Sequence, residues 1–86
     1  KAELEIFQSE NGWGYQIVIK QKVLIYQPTI PAIDTVAPFP DETSTRKVGI
    51  LVLKRFNAHS DFSVSKEEVL QRLPANFYFA REQIPQ

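Results

Sequence analysis

The sequence predicts an α+β domain: an antiparallel meander of three or four strands, one long helix packed on a face and a short C-terminal helix. Three features carry that expectation. Apolar and polar residues alternate through the first 27 positions, as half-buried strands require. Asn11-Gly12 separates two of the alternating runs and is a strong hairpin signal. Beyond a proline-rich stretch, Asp41-Glu42 and Ser65-Lys66-Glu67-Glu68 supply two helix starts. A chain of 86 residues has room for one core, so residues 1–86 form a single domain.

In the first strand Leu4 and Ile6 alternate with Glu3 and Glu5; in the second, Tyr15, Ile17 and Ile19 form one face. A type I′ turn centred on Asn11-Gly12 sets Leu4 opposite Ile19, Ile6 opposite Ile17 and Glu3 opposite Lys20. The next reversal falls within Lys20 to Lys22. It leads to a third strand, Val23-Leu24-Ile25-Tyr26, which Pro28 stops. Unbroken alternation places Leu24 and Tyr26 on the face of Ile17 and Ile19. The opposite face then carries Phe7, Val18, Val23 and Ile25, more apolar than a solvated sheet surface, and is a candidate interface.

From Gln27 to Pro40 the prolines Pro28, Pro31, Pro38 and Pro40 remove backbone donors and constrain their predecessors, which predicts an ordered loop. Asp41 as N-cap, Glu42 in the first turn and Lys54 and Arg55 near the end predict a helix over Glu42 to Phe56. The run Val48 to Leu53 suits a buried strand equally well by periodicity alone. On a helical wheel Thr45, Val48, Gly49, Val52 and Phe56 share one face. Ser65 to Glu68 reads as a capping box for a short helix with Val69, Leu70 and Leu73 inward, ended by Pro74. Phe77-Tyr78-Phe79 is compatible with a fourth strand or an apolar tail.

Charge and composition exclude several functions. Ten basic residues balance ten acidic ones, so no excess exists to neutralise nucleic-acid phosphates. Cysteine is absent, which removes disulfides and thiolate chemistry. No apolar run approaches the length of a membrane span. A chain that starts at Lys1 and contains no Met is expected to be a mature portion, with any leader or anchor upstream. His59, Ser60 and Asp61 are sequence neighbours, whose side chains rarely converge on one reacting atom, so the segment reads as a polar loop. One His and scattered carboxylates lack metal-ligand spacing, and neither a metal nor a cofactor is expected. Gly12-x-Gly14 is too short for a phosphate loop and sits at a hairpin. Arg46, Lys47, Lys54 and Arg55 form a basic stripe of the kind exposed helix faces carry by default.

The remaining candidate surface joins Trp13, Tyr15, Tyr26, Gln27, Pro28, Ile30 and Pro31. Aromatic residues beside a stiff proline loop suit recognition, although a small domain needs the same residues for its core.

Gly12-Trp13-Gly14-Tyr15 and Ile25-Tyr26-Gln27-Pro28-Thr29-Ile30-Pro31-Ala32-Ile33 resemble a family of small cell-envelope proteins from Bacteroidetes, catalogued only as a domain of unknown function. The resemblance extends from about Phe7 to Leu73 and leaves 74–86 as an extension. It favours a helix after Phe39 and a second one opening at Val64-Ser65-Lys66-Glu67-Glu68. The chain departs from the family pattern at Asp34-Thr35-Val36-Ala37-Pro38, where glycines are usual, and at Thr45 and Gly49, where alanines are. The family implies a periplasmic or cell-envelope setting and brings no known activity. The expectation is a non-catalytic interaction or structural module that holds a protein partner or a second copy of itself. The alternative is a small-ligand binder or enzyme with a pocket between the proline loop and the helix, lined by Tyr26, Gln27 and Phe39.

Overall fold

A computed structural model describes residues 1–77. Strands β1 (Glu3–Ser9), β2 (Gly12–Ile19) and β3 (Lys22–Gln27) form one antiparallel sheet in the order β1-β2-β3. Helix α1 (Glu42–His59) packs across β1 and β2, and a short helix α2 (Lys66–Leu70) follows. The α+β class and the three-stranded meander agree with the sequence reading.

The first hairpin is offset from its expected register. Leu4 pairs with Ile17, Ile6 with Tyr15 and Glu3 with Val18, so Ser9 and Gly12 are the closing pair and Glu10-Asn11 the loop. The offset is two residues, which leaves every side chain of β1 and β2 on its expected face. Its cause lies outside the hairpin. A Cβ on Gly12 would lie 2.5 Å from the Phe39 carbonyl oxygen and 2.8 Å from Pro38 Cβ. Gly12 therefore belongs to the strand, where the proline loop crosses it closely, and φ is positive at no glycine of the chain.

β3 brings the larger correction. Its turn is Lys20-Gln21, within the expected span, and Ile19 pairs with Lys22 and Val18 with Val23. The ladder then shifts: Ile17 pairs with Ile25 and Gln16 with Tyr26, leaving Leu24 without a partner. This bulge reverses the alternation in the second half of β3. Ile25, expected outward, shares the inner face with Ile17 and packs against the core. Tyr26, expected inward, points outward with Gln16 and is 62% exposed, and Leu24 is 42% exposed.

The core lies between the inner face and α1, built from Tyr15, Ile17, Ile30, Phe39, Val48 and Val52 with Val69 and Leu73. Asp41 caps α1, its Oδ1 accepting from the Ser44 amide at 2.7 Å. The predicted stripe is buried at Thr45, Val48, Gly49 and Val52. A Cβ on Gly49 would come within 2.7 Å of Leu4 Cδ1, so the missing side chain sets how closely helix and sheet approach. α1 continues one turn past Phe56, through Asn57, Ala58 and His59, and stops where Ser60 adopts a left-handed conformation with φ 55°. The Ser60 amide donates to the Phe56 carbonyl at 2.8 Å.

The Ser65 capping box forms as predicted: the Glu68 amide donates to Ser65 Oγ at 3.1 Å and the Ser65 amide to Glu68 Oε1 at 2.9 Å. Val69 is fully buried. Residues 75–77 take a helical turn, with the Phe77 amide donating to the Pro74 carbonyl at 3.1 Å, so Phe77 does not enter the sheet. Tyr78 and Phe79 lie outside the described residues.

Candidate functional site

The outer face of the sheet, remote from α1, carries the exposed side chains of Val23 and Tyr26 beside half-buried Phe7. Phe7 on β1 and Tyr26 on β3 reach over β2 and stack, with ring centroids 5.3 Å apart and planes 9° from parallel. They meet because β2 presents Gly14 beneath them. A Cβ there would lie 2.7 Å from Phe7 Cζ and 2.8 Å from Pro28 Cα. Beside the stack, Gln16 Nε2 donates to Glu5 Oε1 at 2.8 Å. Toward the β2–β3 turn, Val18 is covered while its partner Val23 is 52% exposed. Of the expected interface set, Phe7, Val18 and Val23 lie on this face; Tyr26 replaces Ile25 there.

The residues first read as a recognition surface separate into different environments. Tyr15 is buried on the inner face against Phe39, with ring centroids 6.0 Å apart, and burial pushes its hydroxyl pKa up to about 12. Ile30 is also buried. Its amide donates to the Ala37 carbonyl at 2.8 Å, which closes the proline loop on itself. Trp13 is half-buried and packs against the core. Its backbone exchanges two hydrogen bonds with Phe39, at 3.0 and 2.9 Å, where β3 has ended and the loop takes the place of a strand. Gln27 Nε2 donates to the Thr29 carbonyl at 2.7 Å, and Pro28 and Pro31 are half-buried. Tyr26 alone of the set is exposed.

The pocket expected near Tyr26, Gln27 and Phe39 is not assembled from those three. Phe39 is fully buried and packs in the core, while Tyr26 faces away on the other side of the sheet.

The polar motifs are committed to structure. Asp61 Oδ1 accepts from the Ser63 amide at 3.0 Å and from Ser63 Oγ at 2.8 Å, and the backbone bond leads the causes that hold its pKa below the usual value. Ser60 caps α1 and His59 is exposed. Glu68 receives Arg55 in a two-pronged contact, NH1 to Oε1 at 2.7 Å and NH2 to Oε2 at 2.5 Å. That contact, followed by the Ser65 amide, lowers the Glu68 pKa to about 2. The pair ties the end of α1 to the start of α2, where Phe56 and Phe62 also stack at 4.7 Å. Among the described residues no group of three or more His, Asp or Glu side chains is placed to hold a metal ion, and no helix is long and apolar enough to cross a membrane.

Sequence reasoning missed Tyr26 as an outward residue and Leu24 as the unpaired residue of a bulge. Gly14 was the available signal, because a glycine inside a strand marks a close approach by a neighbour. Here the neighbours are Phe7 and the backbone of Gln27-Pro28.

Among curated proteins and solved structures nothing matches the chain. A family model described as Domain of unknown function (DUF4907) matches residues 5–71, a span that takes in β1 from Glu5 onward, β2, β3, α1 and α2. The chain therefore belongs to the family described as Domain of unknown function (DUF4907).

Proposed function

We propose that the domain is a non-catalytic interaction module of the cell envelope, and that its outer sheet face pairs with a second copy of the chain. The observation that carries this reading is the Phe7–Tyr26 stack beside exposed Val23, on the side of the sheet that faces away from α1. Charge placement favours a second copy. Glu3 and Glu5 lie on the β1 flank, whereas Lys20 lies in the β2–β3 turn at the same end of the sheet. A two-fold axis along β2 lays each acidic flank against the other copy's basic turn and each Phe7 toward the other copy's Tyr26. The envelope setting is supported by the motif resemblance alone.

Sedimentation velocity over a concentration series tests the pairing. The wild-type chain is expected to dimerise, and Tyr26→Ser with Val23→Ser to remain monomeric with an unchanged circular dichroism spectrum. Salt should weaken the dimer, since the flanking charges are exposed. A wild-type chain that stays monomeric throughout, or a doubly substituted chain that dimerises equally well, overturns the reading.

A further inference from the structure

The basic stripe on α1 is divided by its partners. Arg46 pairs with Glu42 at 2.8 Å and Arg55 with Glu68, whereas Lys47 has no carboxylate within ion-pair distance among the described residues. Lys47 instead lines a surface hollow of about 420 Å³ together with Ile50, Gln71 and Arg72. A smaller hollow of about 230 Å³ adjoins it, shares Lys47 and Arg72, and includes Asp41, Thr43 and Ser44 at the start of α1.

Two features make this more than a pair of surface cations. Arg72 is half-buried and its NH1 donates to the Glu68 carbonyl at 2.8 Å, which holds the guanidinium in place and leaves other donors of its fork unassigned. Among the described residues the only carboxylate lining either hollow is Asp41, and its Oδ1 already accepts from the Ser44 amide and hydroxyl, each at 2.7 Å. The larger hollow is therefore lined, among the described residues, by two cations, an amide side chain and the exposed edge of Ile50, with no acidic group.

We infer that the larger hollow binds an oxyanion of the phosphate class. Arg72 and Lys47 supply the charge-assisted donors, Gln71 a further donor, and Ile50 a contact for an apolar substituent. The site lies on the solvent side of α1, away from the sheet, and does not depend on the outer face.

The test is a titration of the chain followed by amide chemical shifts. One arm uses inorganic phosphate at constant ionic strength against chloride. The other uses phosphatidylcholine vesicles with and without phosphatidic acid. Saturable shifts at Lys47, Ile50, Gln71 and Arg72 are expected, with affinity reduced about tenfold by Lys47→Gln and unchanged by Lys54→Gln. Arg72→Gln should lose binding as well, with amide spectra reporting whether the fold survives loss of its bond to Glu68. Saturation by phosphate alone identifies a free anion as the ligand. Binding that requires phosphatidic acid in the vesicle and Lys47 in the chain identifies a lipid headgroup. Shifts that match those in chloride, or binding that Lys47→Gln leaves intact in both arms, overturn the site.

Discussion

The two hairpin turns of the sheet use opposite chemistries from those their sequences advertise. The first contains Asn11-Gly12, the dipeptide best suited to positive φ, yet φ is positive at neither residue. Its loop is Glu10-Asn11, fastened by Ser9 Oγ donating to the Gly12 carbonyl at 3.1 Å. The second contains Lys20-Gln21, with neither glycine nor asparagine, and both residues are left-handed, at φ 48° and 68°. Left-handed backbone costs a side-chain-bearing residue about 1–2 kcal/mol, so packing of the flanking strands must hold the second turn in place. The lesson is that a glycine serves whichever neighbour comes closest. At Gly12 that neighbour is the proline loop, and the turn is built without it.

If this contrast is right, Gly12→Ala is the most damaging change at either turn. Its Cβ would meet the Phe39 carbonyl at 2.5 Å, and unfolding experiments should show a loss of about 2–3 kcal/mol. Hydrogen exchange should report lost protection at the Trp13 and Phe39 amides, which bridge strand and loop. Next in size, replacing Lys20-Gln21 with Asn-Gly should raise stability by about 1 kcal/mol, because those residues accept the observed φ values. A loss of stability there would mean that the lysine and glutamine side chains hold the turn. Asn11→Ala should change stability by less than about 0.5 kcal/mol, since no positive φ is required of it. A larger loss would restore the turn reading of Asn11-Gly12.

The helical junction provides a reference that acid alters and the turns do not. Glu68 has a folded pKa near 2 against an ordinary 4.5, chiefly through Arg55. Its contribution is present above about 4.5 and declines as pH falls toward 2, because the folded state then resists protonation that the unfolded chain accepts. Glu68→Gln should flatten stability between those pH values, while the turn variants keep the wild-type slope.

Local signals were the legible ones. Asp41 and the Ser65–Glu68 box cap helices through side chains three residues from their targets, so the chemistry sits inside a short window. Thr45, Val48, Gly49 and Val52 revealed the buried stripe because helical periodicity repeats. The alternation of β1 and β2 likewise placed Phe7 and Val18 on the outer face. Val23-Leu24-Ile25-Tyr26 defeated the same logic. It contains no charged or amide residue to mark a solvent side, so nothing in it shows where the ladder slips. The candidate recognition set was illegible for a related reason: Tyr15 and Tyr26 are the same residue type, and only the bulge and the Phe39 contact send one into the core and the other into water.

The unpaired Leu24 bears on how relatives of this chain should be compared. Removing that one position would restore an unbroken ladder with Val23 still opposite Val18, Ile25 opposite Ile17 and Tyr26 opposite Gln16, so both surfaces would keep their residues. A gap at Leu24 in an aligned homologue therefore preserves both contact surfaces, whereas a β3 of full length that pairs without the bulge exchanges Ile25 and Tyr26 between them.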